Sequence, residues 1–164
     1  MAMLIHMTVE GNTQGLISEA CSPMEGREDT IHVMSLDYQA EIPWNEQDGR
    51  AQGHRIHHPI KLVKAIDRAS PMLATALNSN ELLTVTLQFY RYNPDGDGTE
   101  EQFYTIILEE ANIVSVDLQL PFTLQAESAK LPPLETLRVA FTKITATFEP
   151  DGIVTEDSWK VPHV

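Results

Sequence analysis

The residues best suited to chemistry are three neighbouring histidines, His54, His57 and His58. Imidazole nitrogens are good zinc ligands. On an extended chain, however, His57 and His58 point to opposite faces. No cysteine lies nearby, and neither an HExxH motif nor a paired-cysteine motif is present. A hydrogen-bonded or surface role is expected for them, with no metal and no other cofactor. Cys21 is the one cysteine. It excludes an intramolecular disulfide, points to folding in a reducing compartment, and reads as packing rather than as a nucleophile. The stretch Asn93-Pro94-Asp95-Gly96-Asp97-Gly98 begins like a calcium loop. The twelfth position from Asn93 is Tyr104, not the required bidentate glutamate, and both flanks read as strand. GxSxG, the P-loop and GxGxxG are all absent. With carboxylates so abundant, a pair placed for glycoside hydrolysis would arise by chance, and no enzyme is expected.

The elements that must position these residues are mostly strands. Met3, Ile5, Met7 and Val9 alternate with Leu4, His6, Thr8 and Glu10, the period of a pleated strand with one face buried. Met34, Leu36, Tyr38, Ala40 and Ile42 repeat the pattern, as do Leu83, Val85, Leu87 and Phe89, and then Val114, Val116, Leu118 and Leu120. The run Leu134–Phe148 changes apolar phase midway, which predicts a bulge, or a bend from one sheet to another, near Thr142-Lys143. One helix is signalled: Ser70 as N-cap, Pro71 in the first turn, and a stripe of Met72, Leu73, Ala76 and Leu77, with Asn78 and Asn80 as terminators. Asn93–Gly98 reads as a hairpin turn. Pro43–Arg55 reads as a long polar loop without periodicity, the kind that is often functional. The segment after Pro150 reads as a poorly ordered tail.

Composition narrows the function classes. The chain has 164 residues, suited to one domain with a core of its own. Eleven Lys and Arg stand against twenty-four Asp and Glu, a net charge of −13. Such a surface repels phosphate backbones, so neither nucleic acid nor an anionic membrane is an expected partner. No apolar run approaches the ~20 residues of a membrane-spanning helix. Met1–His6 lacks the basic and apolar regions of a cleaved signal peptide.

His58-Pro59, Lys64, Asp67, Ser70-Pro71, Leu73 and Ala76 form an HxP…K…D…SPxL…A pattern that resembles the Hcp family, the haemolysin-coregulated proteins of bacterial type VI secretion. Gly11, then Thr13-Gln14-Gly15 and Gly26, are similar to the family in order and spacing. So are Phe89-Tyr90-Arg91 before the glycine-rich turn, and Tyr104, Ile106, Leu108, Ala111 and Ile113 after it. The resemblance covers roughly residues 3–152, within one expected domain of residues 1–152, and leaves 153–164 as a tail without a family role. It implies a mainly β fold: a small β-barrel built from two sheets, with one short helix alongside, like phage tail-tube proteins. It also implies a homo-oligomer, a hexameric ring, that stacks into a tube inside a contractile sheath beneath a spike protein and holds effector proteins in its lumen. The chain would reside in the bacterial cytoplasm before firing and then be secreted without a cleaved signal peptide. Gln47, Asp48, Gly49, Arg50, Gln52, Gly53 and His54 are the candidate ring-contact loop. Ser70, Pro71 and Leu73 read as structural. Two other classes stay open on the residues alone: a monomeric β-sandwich module binding carbohydrate or protein, and a metal-dependent hydrolase using His54–His58.

Overall fold

A computed structural model of the chain describes residues 3–160. Met1 and Ala2 of the leader reading, and residues 161–164 of the expected tail, lie outside the described residues. Strands β1 (Leu4–Gly11), β2 (Gly15–Leu16), β3 (Ile31–Val33), β4 (Ser35–Asp37), β5 (Ala40–Glu41), β6 (Ile56–His57) and β7 (Ile60–Ala65) precede helix α1 (Ser70–Ser79). Strands β8 (Leu83–Tyr92), β9 (Glu100–Gln119), β10 (Leu134–Ala140), β11 (Lys143–Phe148) and β12 (Ile153–Ser158) follow it.

The expected mainly β fold with one short helix is present, but the hydrogen-bonded order β2-β1-β8-β9-β10-β7-β4 does not close on itself as a barrel. β3 pairs with β1 and β4 pairs with β7. The join between β3 and β4 is a bend at Met34, not a ladder. That bend corrects the expected single strand over 33–42. Ile31 and Val33 are buried, Met34 is exposed, and the next inward residue is Leu36, so the inward phase switches at the corner.

Strand β9 joins the two halves of the sheet. Its first part pairs with β8 and β11, and its second part with β10. The two parts meet at Glu110, whose φ of 48° marks a left-handed kink. The partner strand breaks opposite, between β10 and β11, where Thr142 N–H donates to Glu109 O at 3.2 Å. The bend expected near Thr142-Lys143 is therefore present. The Asn93–Gly98 hairpin turn is present too, between β8 and β9, with Asn93 N–H donating to Thr99 O at 2.8 Å. Residues 153–158, expected to be a loose tail, form β12, paired along its length with β11.

Helix α1 buries Leu73 and Ala76, with Met72 and Leu77 half-buried beside them. Leu73 meets Met7 and Val9 of β1, Leu83 and Val85 of β8, Ile113 of β9, and Leu137 and Val139 of β10 around a void of only about 10 Å³. The helix thus packs on residues from both halves. Ser70 is not the N-cap: Ala69 holds that position, without a side-chain cap bond. The Ser70 hydroxyl is turned inward instead, while Asp67 Oδ1 accepts the Ala69 N–H at 2.9 Å. Asn80 ends the helix in the left-handed conformation, as its type favours. Glu81 then reaches back to the turn after β1, accepting Thr13 N–H, Gln14 N–H and the Gln14 amide. A Cβ on Gly11 would lie 2.7 Å from Glu81 Oε1, so a larger residue there would push on the carboxylate that holds this turn.

Candidate functional site

Residues 40–58 form an arm, not a structureless loop. β5 and β6 make a separate two-stranded sheet, and Trp44 bridges Ala51 further out. Backbone bonds from Gln52 N–H to Pro43 O (2.6 Å) and from Asn45 N–H to Arg50 O (2.9 Å) tie the two sides together. Gly49 and Gly53 take positive φ at the turns. Gln47, Asp48, Gly49, Arg50, Gln52, Gly53 and His54 are all exposed along it.

The root of the arm is gripped by β12. Arg55 donates through Nε to Asp157 Oδ2, and through Nη2 to Asp157 Oδ1 (2.7 Å) and Ser158 O (2.6 Å). His57 Nε2 lies 2.6 Å from Asp157 Oδ2, and His57 Nδ1 lies 2.6 Å from the Tyr38 hydroxyl. The carboxylate can only accept, so Nε2 carries a proton and donates to Asp157, while Nδ1 and the Tyr38 hydroxyl share the second bond. Burial, and then Asp157, push the Tyr38 phenol above its ordinary pKa, so it holds its proton. The imidazole sits among Tyr38, Phe141 and Trp159. Open grooves of about 580 Å³ and 300 Å³ are both lined in part by Asp157 and Thr155. Nothing in the sequence grouped Arg55, Tyr38, Asp157 and Trp159, because their meeting depends on a strand at 153–158 that the pattern did not reveal.

The three histidines are not brought together as ligands. His54 is exposed on the arm, His57 is in the grip, and His58 lies 2.9 Å from Glu41 Oε1. Among the described residues no group of three His, Cys, Asp or Glu is placed to hold a metal ion. Burial, then Asp67, raise the pKa of the Cys21 thiol, so the reactive thiolate is disfavoured.

The remaining motif residues divide. His58 and Pro59 stay at the arm's root, and Pro71 is exposed at the start of α1. Asp67 and Ser70 cluster around Lys64, and Lys64 and Ser70 share a partner that sequence reasoning missed, Glu135 of β10. Lys64 is fully buried and Glu135 is 1% exposed. Lys64 Nζ lies 2.7 Å from Glu135 Oε2, 3.0 Å from Asp67 Oδ1, 3.1 Å from Ser70 Oγ and 3.0 Å from Ala65 O. Ser70 Oγ donates to Glu135 Oε2 at 2.7 Å and accepts the Asp67 N–H. The signal was available: Lys64 continues the inward phase of Ile60 and Leu62, and Glu135 shares that of Leu137 and Val139. Opposite charges at inward positions of two strands point to a buried pair.

The second half of β9 corrects another expectation. Of the expected inward set Val114, Val116, Leu118 and Leu120, Val116 packs against the core; Val114 sits where the register with β10 shifts, and Leu118, although opposite buried Glu135, and Leu120 are 68% and 66% exposed. Phe122 and Leu124 extend the exposed apolar set into the loop before β10, Leu124 at 85%. Among the described residues this half of β9 pairs on one side only, with β10. Its other backbone edge is open.

A family model described as "Type VI secretion system effector, Hcp" matches residues 9–148. The chain is 34% identical over 171 residues to the "Major exported protein" of Pseudomonas aeruginosa, covering 99% of this chain and 98% of that protein. Among solved structures it is similar to one titled "Crystal structure of Hcp protein", with a TM-score of 0.90, 26% identity, and coverage of 98% of this chain and 100% of that one. It is also similar to "Secreted protein Hcp3 from Pseudomonas aeruginosa", with a TM-score of 0.80, 31% identity and the same coverage.

Proposed function

The chain belongs to the Hcp family of type VI secretion proteins, a family of structural secretion proteins and not of enzymes, and from that premise we propose that it is a ring-forming subunit of the secretion tube. Six copies close head to tail into a ring, and rings stack into a tube driven out by a contractile sheath beneath a spike protein. The lumen carries effector proteins. The subunit waits in the bacterial cytoplasm until it is exported. The name of its relative, "Major exported protein", supports export.

The observation that carries this reading is the set of exposed apolar side chains Val114, Leu118, Leu120, Phe122 and Leu124 beside a strand edge that is unpaired among the described residues. On a chain of net charge −13, a set of this kind is poorly placed facing water and well placed facing another copy. A neighbour's edge would complete the ladder and cover the set. The exposed arm then supplies contacts between stacked rings.

Native mass spectrometry of the purified chain should give a hexamer, with ring-shaped particles in negative stain. Leu118→Glu together with Leu120→Glu should leave the far-ultraviolet circular dichroism unchanged and shift the mass to a single copy. A wild-type chain that stays at one copy at high concentration, as a monomeric binding module would, refutes the ring. Deleting Ala51–His54 should leave rings closed and weaken their stacking.

A further inference from the structure

We infer that Asp157 of β12 is the residue that sets the direction of the arm, and that stacking of rings depends on this setting; the inference rests on the tube reading above. The arm's own ladder makes it stiff but does not aim it, because the β5–β6 sheet is separate from the main sheet. The Glu41–His58 contact and the bond from His58 N–H to Gln39 O join residues of the arm and its root to one another. Among the described residues, hydrogen bonds tie residues 40–58 to the body through Tyr38, Asp157 and Ser158.

Asp157 is central among them. Its two oxygens take both donors of the Arg55 fork, the His57 ring and the Ser158 N–H. Bidentate charge-assisted pairs combine strength with fixed orientation, which is what aiming a lever requires. Further out, an open groove of about 580 Å³ lies between the arm residues Ile42, Gly53 and His54 and the β12 residues Thr155 and Glu156. The arm is not packed down there, so its direction is decided at the root. Asp157 and Ser158 lie beyond residues 9–148, where the family model matches.

The test uses the full chain with Cys21→Ser and Asp48→Cys, carrying a spin label at the exposed arm tip. Distances between labels on neighbouring subunits of the ring are measured by pulsed electron resonance. Stacking is followed by sedimentation and electron microscopy, and ring closure by native mass. Asp157→Asn should keep rings closed, broaden the label distances, and raise the concentration needed for stacking by about tenfold or more, since the competent arm direction becomes a minor state. Arg55→Gln removes the same grip from the exposed arm side, where folding of the body is not at stake, and should act alike. Asp157→Glu should restore part of both readouts, which a merely destabilised fold would not do. Unchanged label distances in Asp157→Asn and Arg55→Gln, or broadened distances with unchanged stacking, overturn the inference alone. Unchanged stacking after deletion of Ala51–His54, or wild-type rings that never stack, overturns the arm reading and the inference with it.

Discussion

Replacing Lys64 by methionine removes a fully buried ammonium while leaving Glu135, 1% exposed, in place without its main counter-charge. Methionine nearly matches the lysine stem in volume, so packing changes little and the effect is electrostatic. Stranding one member of a buried ion pair costs about 3–5 kcal/mol. For a chain of this length that corresponds to a fall in Tm of about 6–20 °C. The loss should spread to α1, because Ser70 and Asp67 of the same network lie at its first turn. Adding Glu135→Leu removes the stranded charge, and the double variant should recover about 2 kcal/mol or more relative to Lys64→Met alone. Urea melts at equal protomer concentration, needed because assembly itself stabilises the folded chain, give both differences. A single variant within about 1 kcal/mol of wild type, or a double variant as unstable as the sum of the singles, refutes the claim that the pair acts as one buried unit.

Two further outcomes are expected. His6 is held neutral in the folded chain, its pKa lowered from 6.5 to about 4 by burial first and then by Arg27 and His32. As pH falls from 6.5 towards 4 the unfolded chain gains a proton that the folded chain does not, so stability should drop by about 3 kcal/mol; urea midpoints of wild type and His6→Leu across that range should diverge, and identical slopes would refute it. Leu73→Ala should cost about 2–5 kcal/mol in denaturant, because Leu73 is fully buried between both halves of the sheet, and a loss below about half a kcal/mol would contradict the docked helix.

The sequence carried β1, β8, β10, β11 and part of β9, the helix span, the Asn93–Gly98 turn and the corner at Thr142, because each depends on local period or local turn chemistry. It misplaced what depends on long-range partners. Alternation groups Val114, Val116, Leu118 and Leu120, but it does not show that the register with β10 shifts at Val114, nor that of this set Val116 meets the core while Leu118 and Leu120 stay exposed. The corner at Met34 was hidden because Met34 is apolar and fitted the inward phase it breaks. Ser70 was read from its local preference for N-caps, whereas a buried lysine and glutamate some distance along the chain claimed its hydroxyl. The Arg55–Asp157 contact spans about a hundred residues and needs β12, whose segment shows no clean alternation.

Strand β9 contributes residues to both halves of the sheet through 20 consecutive positions, about 65 Å of extended chain. Neither half can therefore come apart while the other keeps its hydrogen bonds in register: a slip at Glu110 would propagate in both directions along one backbone. Heat or denaturant should accordingly meet one cooperative transition per protomer, so that damage anywhere along this shared strand is felt as failure of the whole subunit and not of a part.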